Sequence, residues 1–119
     1  MKMDDSERYA RLGERSVMAL MKDVSYGNMD AFEELMDRYL NIVSKTSFRI
    51  LCDRRDSEYV TARVFLSLWN DVLEYDDRFT VGEWLLRRTC FFARIRIMRR
   101  RILRIFGIQN DVFVNVSPK

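Results

Sequence analysis

The sequence predicts an all-α protein, a compact bundle of three long helices plus a shorter N-terminal helix. Apolar residues recur at intervals of three and four along most of the chain, which is the spacing of one helix face. The 119 residues include four glycines and one proline, so a turn-rich β-sandwich is disfavoured. This length suits one domain with a real core, and an apolar content of 48% argues against general disorder.

The chain divides into three predicted parts. Residues 1–16 are a strongly polar N-terminal segment that can be frayed. Residues 17–106 form the helical domain, and residues 107–119 form a linker or tail. The domain opens with a short helix that ends before the turn at residues 25–28 and whose apolar residues are Val17, Met18, Leu20, Met21 and Val24.

Two long helices follow. Asn28 can cap the second helix, because its side chain can accept a hydrogen bond from a free backbone N–H, and this helix is predicted to end near Leu51. Its apolar stripe consists of Phe32, Leu35, Met36, Tyr39, Val43, Thr46 and Ile50. The third helix is predicted to begin with Asp56 or Ser57 as its cap. It is predicted to end within residues 74–77, where adjacent aspartates oppose the helix dipole. Its stripe consists of Val60, Val64, Phe65, Leu68, Trp69 and Val72.

A capping box is predicted to start the fourth helix. The Thr80 hydroxyl can accept a hydrogen bond from the backbone N–H of Glu83, and the Glu83 carboxylate can accept one from the N–H of Thr80. Phe79 can pack on Trp84 one turn later. These four residues form the predicted structural cap.

The fourth helix carries aromatic and basic residues together. At 100° per residue, one broad apolar side carries Trp84, Phe91, Phe92, Ile95 and Ile102. Arg87, Arg94 and Arg101 are seven apart and share another side. Arg88 falls within the apolar side, where a guanidinium needs an acidic partner or must reach the edge. The aromatic residues can be ordinary core, which we favour, or a surface that stacks on bases.

The charge is divided unevenly along the chain. Residues 1–83 carry 12 basic and 17 acidic side chains, a net of −5, whereas residues 84–119 carry nine basic and one acidic, a net of +8. Such asymmetry favours a polyanionic partner at one end of the molecule, although a solvated basic helix without a partner remains an alternative. DNA is favoured over a membrane because the arginines do not form one polar arc opposite a clean apolar one.

Catalysis, metal binding and cofactors are not predicted. The chain has no histidine and two cysteines, so it lacks the usual general base and any zinc-ligand spacing. No secretion signal or membrane-spanning run is present, so no membrane insertion is expected. We expect Cys52 and Cys90 to be free, partly buried thiols of a cytoplasmic protein.

Three stretches resemble bacterial extracytoplasmic function (ECF) sigma factors, in order and with matching gaps. Residues 27–39, GNMDAFEELMDRY, resemble the family's G-D-x-x-A-F-x-x-L-Y-x-x-Y helix. Residues 56–69, DSEYVTARVFLSLW, resemble its D-A-E-D-L-V-Q-E-V-F-L-x-L-W helix. Residues 79–101 resemble its F-x-x-W-L-x-R-I-A-R-N…D…R-R-R segment. Together they cover roughly residues 17–104.

The resemblance implies the sigma region-two type of helical bundle. Such a domain docks on the clamp helices of the RNA polymerase β′ subunit and reads the non-template single strand of the promoter minus-ten element. The implied core polymerase-binding residues are Asp56, Glu58, Tyr59, Ala62, Arg63 and Phe65. The implied DNA-binding residues are Arg78, Arg87, Arg94, Arg99, Arg100 and Arg101. An anti-sigma factor is a further candidate partner.

The chain departs from the family pattern at several of these positions. Tyr59, Ala62 and Arg63 stand where the family usually has Asp, Gln and Glu, and Phe91 replaces an Asn. Arg63 reverses the charge on the implied polymerase-facing surface, and like charges that face each other at an interface can cost several kcal/mol. The family's helix-turn-helix domain does not follow within these 119 residues, so either a fragment or a divergent protein is expected. The alternative function is therefore a degenerate sigma-like protein that binds a regulator without initiating transcription.

Overall fold

The computed structural model describes residues 17–107 of the chain, and its regular elements in that range are all helical, as predicted. Helix α1 covers residues 17–25. It is followed by α2 (Met29–Leu51), α3 (Arg54–Asn70), a 3₁₀ turn (Val72–Glu74) and α4 (Val81–Ile105). The polar segment 1–16 and the tail residues 108–119 lie outside the described residues.

The junctions on either side of α2 follow from local chemistry. Gly27 adopts a φ of 84°, which a residue without a Cβ adopts at little cost. Asn28 then caps α2 by accepting a hydrogen bond from the N–H of Ala31 at 3.0 Å, as predicted. The helix ends at Leu51, also as predicted, and Cys52 follows in the left-handed region with a φ of 52°. The Cys52 side chain is exposed rather than partly buried.

The predicted cap of α3 is wrong. Asp53, not Asp56 or Ser57, caps this helix and accepts a hydrogen bond from the N–H of Asp56 at 2.9 Å. The helix therefore begins at Arg54, and Asp56 becomes a buried residue of its first turn. The predicted end at residues 74–77 is also wrong, because α3 stops at Asn70 and the chain continues as a single 3₁₀ turn.

The core lies where α2, α3 and α4 pack against one another. Its largest fully buried apolar side chains come from all three helices and are Leu35, Val43, Val60, Val64, Leu68 and Leu85. Each contributes about 1.5–3 kcal/mol by burial. The predicted stripes of α2 and α3 supply this core, and Phe32 also packs edge-on against Trp69 with ring centroids 5.2 Å apart.

The predicted apolar side of α4 is only partly buried. Trp84 is in the core, but Phe91, Ile95 and Ile102 are exposed. The face that packs against α2 and α3 instead carries Val81, Leu85, Thr89, Ala93 and Leu103. At 100° per residue, this face is offset from the predicted one by roughly 100°.

Candidate nucleic-acid and protein interfaces

The predicted cap at the start of α4 is present. The Thr80 hydroxyl accepts a hydrogen bond from the N–H of Glu83 at 3.1 Å, and the Glu83 carboxylate accepts one from the N–H of Thr80 at 2.9 Å. Trp84 packs edge-on against Tyr75 with centroids 5.4 Å apart, and Phe79 lies under the guanidinium of Arg87 at 4.5 Å. The start of α4 is therefore held by contacts on both sides. The Phe79–Trp84 contact stays a prediction.

The loop before α4 is organised by two local hydrogen-bonded contacts. The Tyr75 hydroxyl donates a hydrogen bond to the carbonyl of Phe79. Asp76 accepts hydrogen bonds from both the backbone and the guanidinium of Arg78, with an Nη2–Oδ2 distance of 2.6 Å. These bonds from Arg78 lower the pKa of Asp76 to about 2. The exposed Arg78 side chain is thus held at the tip of the loop.

A pocket of about 480 Å³ opens beside this loop. Its wall includes the rings of Tyr39, Tyr75 and Phe79, and Arg78 and Glu83 lie at its side. Burial raises the pKa of both Tyr39 and Tyr75, so both hydroxyls are protonated at neutral pH. The pocket combines aromatic surface and neutral hydroxyls with two arginines, Arg38 and Arg78, and two acidic residues, Asp77 and Glu83. No sequence pattern indicated that Tyr39 of α2 would meet this loop.

Arg87, Arg94 and Arg101 are exposed along α4. Residues seven apart stay on one side of a helix, with a drift of about 20° per heptad. Neither Arg94 nor Arg101 has an acidic partner within residues 17–107. The three arginines therefore form a basic row that starts about two turns after the Thr80 cap.

The other two arginines of the predicted DNA surface are placed differently. Arg100 donates a hydrogen bond from Nε to Asp56 at 2.5 Å and another to the carbonyl of Leu51. Arg99 is half-buried and lines a small cavity between α3 and α4. The described surface therefore offers Arg78, Arg87, Arg94 and Arg101 to a ligand more readily than these two.

Asp56 lies between two arginines of α4. Its carboxylate accepts hydrogen bonds from Arg96 at 2.9 Å and from Arg100 at 2.5 Å. Burial alone would raise the pKa of Asp56, but the hydrogen bonds from Arg100 and Arg96 outweigh burial and lower it. The carboxylate is 10% exposed, so this cluster holds the N-terminus of α3 against the second half of α4.

Arg88 has the acidic partners that its position on the helix requires. Its guanidinium lies 3.1 Å from Asp71 and 3.8 Å from Glu74, and it also stacks over Trp84 at 4.4 Å. Because α3 ends at Asn70 rather than within residues 74–77, Asp71 and Glu74 lie beyond the helix and approach Arg88 of α4. The need for a partner was predicted, although the partners were not.

The predicted polymerase-binding residues of α3 do not form one surface. Asp56 is buried beneath two arginines, and Phe65 is buried except where it lines a groove between α2 and α3. Tyr59 and Arg63 turn toward α4, where Tyr59 lies under Arg96 at 4.3 Å and Arg63 lies over Phe92 at 5.0 Å. The departures from the family pattern at positions 59 and 63 therefore supply contacts between α3 and α4.

Glu58 and Ala62 face α2 and line an apolar groove of about 550 Å³ together with one edge of Phe65. Leu40 of α2 and Leu66 of α3 flank this groove and are 46% and 48% exposed. Sequence reasoning missed both leucines. The available signal was that each is apolar yet lies outside the core stripe of its helix.

No protein-family model, curated protein or solved structure matches this chain. Within residues 17–107, none of the helices is both long and apolar enough to cross a bilayer. Three surface features of the described residues can bind a ligand: the pocket beside the loop before α4, the basic row of Arg87, Arg94 and Arg101, and the α2–α3 groove.

Proposed function

We propose that the chain is a sigma region-two-like domain that binds core RNA polymerase through the β′ clamp helices and binds the non-template single strand of the promoter minus-ten element. One observation carries the proposal. The aromatic pocket beside the capped loop lies next to the start of a row of exposed arginines on α4. Such an arrangement suits single-stranded DNA in which one base rotates out of the base stack into the pocket and the neighbouring phosphates contact the arginines.

The chemistry of both parts suits single-stranded DNA. Aromatic rings stack on any base, and a basic row follows the backbone. The rings of Tyr39, Tyr75 and Phe79 supply stacking surface, and Arg78 lines the same pocket. Because Arg87 and Arg101 are 14 residues apart, the row extends about 21 Å along the helix axis. That length covers several successive phosphates.

The α2–α3 groove is the proposed polymerase surface. An apolar groove between two helices accommodates a further helix, and the clamp element of the polymerase is helical. Glu58 and Ala62 lie in this groove, whereas Tyr59 and Arg63 do not. The proposal therefore assigns docking to the α2-facing side of α3, with Leu40 and Leu66 as its apolar contacts.

The DNA part is tested with a fluorescent single-stranded oligonucleotide that carries a minus-ten element. The double variant Arg94→Gln/Arg101→Gln should weaken binding at least tenfold. Lys45→Gln/Arg49→Gln is the matched control, since it also removes two exposed cations, both on α2, and it should change affinity less than twofold. Equal loss in both would mean that overall charge rather than the α4 row drives binding.

The polymerase part is tested by capture of purified core enzyme. Leu66→Asp should abolish capture, because it places a carboxylate in the apolar groove. Ile42→Asp is the control, since Ile42 is also about half exposed on α2 but does not line the groove. Capture that survives Leu66→Asp would move the polymerase surface elsewhere.

One observation favours the alternative of a degenerate sigma-like protein that binds a regulator such as an anti-sigma factor. Asp56 and Phe65 are buried, and Arg63 lies over Phe92, so two of the six implied polymerase-binding side chains are buried and a third is turned toward α4. Under this alternative the wild-type chain captures no core polymerase. Arg63→Glu would then restore capture. If the wild type captures core polymerase and Arg63→Glu captures the same amount, the alternative is excluded.

A further inference from the structure

The second half of α4 presents an apolar seam to solvent. The seam consists of five large residues that are 47–77% exposed, namely Phe91, Ile95, Met98, Ile102 and Ile105. Their spacings of four, three, four and three are the spacings of the a and d positions of a heptad repeat. The seam is about 21 Å long at 1.5 Å per residue. It therefore has the pattern by which one helix packs against another.

The positions that flank the seam carry positive charge. Arg94 and Arg101 directly precede Ile95 and Ile102, which places them at the g positions of the heptad. In coiled coils, the residues at e and g form ion pairs with the partner helix and decide which partner is accepted. Because these two arginines are exposed and have no acidic partner within residues 17–107, acidic e and g residues of a partner would complement them.

We infer that this seam docks an amphipathic helix of a partner protein, with apolar residues at a and d and acidic residues at e and g. This inference goes beyond the proposed polymerase and promoter binding and uses different apolar residues. Since the docked helix and a DNA strand would share Arg94 and Arg101, the two ligands compete. The partner helix is therefore a regulator of the basic row.

A second copy of the chain fits the seam less well. Parallel pairing of two α4 helices would bring g-position Arg94 toward e-position Arg99 of the other copy. Antiparallel pairing would bring g-position arginines toward each other. Like charges at these positions disfavour both arrangements.

A membrane surface also fits less well. The seam covers about 80° of the helix circumference at 100° per residue, whereas a broad apolar face exceeds about 100°. A strict a/d stripe of this width is typical of helix pairing. The opposite side of α4 is occupied by the bundle, where Ala93 and Leu103 are buried. A partner helix therefore matches the exposed surface better than a bilayer does.

The test uses the full chain and a fluorescent peptide of about three heptads, with Leu at a and d and Glu at e and g. Fluorescence anisotropy should detect binding, and circular dichroism should detect a gain of helix. Ile102→Asn should weaken binding at least tenfold, and Met98→Asn is an independent second variant. Ile42→Asn is the matched control, because Ile42 is 45% exposed and Ile102 is 47% exposed.

Several results would overturn the inference. One is peptide binding that is unchanged in both seam variants, and another is equal binding of a peptide with Lys in place of each Glu. Self-association of the wild type that Ile102→Asn abolishes would assign the seam to a second copy. Binding to vesicles with anionic lipid that depends on Ile102, without peptide binding, would assign it to a membrane. Because Ile102→Asn leaves the arginines intact, DNA binding should persist in this variant, which separates this inference from the proposed function.

Discussion

The two halves of α4 are held to the bundle by different forces. In the first half, Val81, Leu85 and Ala93 are buried against α2 and α3, so apolar burial supplies the contact. In the second half, Arg96 and Arg100 point inward onto Asp56, and large apolar residues such as Ile102 point outward. Leu103 remains buried in this half, so the second half adds an inward charge cluster to its apolar contact. Its outward side carries most of the apolar seam and two arginines of the basic row, Arg94 and Arg101.

Apolar contacts and buried ion pairs lose stability in different ways when one side chain is removed. An apolar contact loses its transfer free energy and leaves a cavity when it is truncated. A buried ion pair that loses one partner leaves an uncompensated charge, which costs more than the pair contributed. The two halves should therefore respond differently to truncation and to pH.

The largest effect is expected from Asp56→Ala. This variant leaves Arg96 and Arg100, whose side chains are 13% and 24% exposed, without their shared carboxylate. We expect the free energy of unfolding to fall by about 3–5 kcal/mol, measured by urea denaturation. Glu58→Ala is the control, because it breaks only the exposed pair with Arg54 and should cost less than about 1 kcal/mol. Similar losses in both variants would contradict the buried role of Asp56.

The same carboxylate should make stability depend on acid pH. Its pKa is lower in the folded state than the unfolded value, which is about 3.9. The ionised carboxylate therefore stabilises the protein above pH 4, and this contribution is lost as pH falls below about 4. The difference in unfolding free energy between the wild type and Asp56→Asn should accordingly shrink between pH 6 and pH 2, as followed by urea denaturation. A difference that stays constant across this range would contradict the ion-pair assignment.

Truncation in the apolar half should be nearly as costly but insensitive to pH. Leu85 is fully buried, so Leu85→Ala should cost about 3 kcal/mol. The loss should be the same at pH 4 and pH 7, because no titrating group is involved. Ile102→Ala, in the exposed seam of the same helix, should cost less than about 1 kcal/mol. If Leu85→Ala and Ile102→Ala lower the free energy of unfolding equally, the assignment of Leu85 to the core and of Ile102 to the exposed seam is wrong.

Loss of the helix cap should cost less than loss of the buried ion cluster or of a core leucine. Thr80→Ala removes the hydroxyl that accepts the Glu83 N–H and should cost about 1 kcal/mol, measured by thermal denaturation. Thr80→Ser retains the hydroxyl and should change stability much less. If both variants lose the same stability, the methyl group rather than the capping bond matters at this position.

The parts of this molecule that sequence could predict are those set by neighbouring residues. The caps at Asn28 and Thr80 depend on groups three positions away, and the helical stripes of α2 and α3 depend on spacing alone. The contact of Asp56 with Arg96 and Arg100 joins residues 40 and 44 positions apart, so no local pattern indicated it.

The face of α4 was misjudged for a related reason. Periodicity groups apolar residues on one side of a helix but gives no sign of which side the rest of the chain will cover. Thr89 and Ala93 look neutral in sequence, yet they are fully buried, whereas Phe91 looks like core and is exposed. The inward direction was decided by helix packing and by the carboxylate of Asp56 on another helix.

The central claim is that the exposed arginines bind the backbone of single-stranded DNA, and the salt dependence of binding tests it most directly. Four of the arginines predicted to bind DNA are exposed, namely Arg78, Arg87, Arg94 and Arg101. With a slope of roughly −0.7 per phosphate contact, the plot of log affinity against log salt should have a slope of about −3. The double variant Arg94→Gln/Arg101→Gln should reduce the slope to about −1.5. A wild-type slope near zero, or one unchanged in the double variant, would contradict the claim.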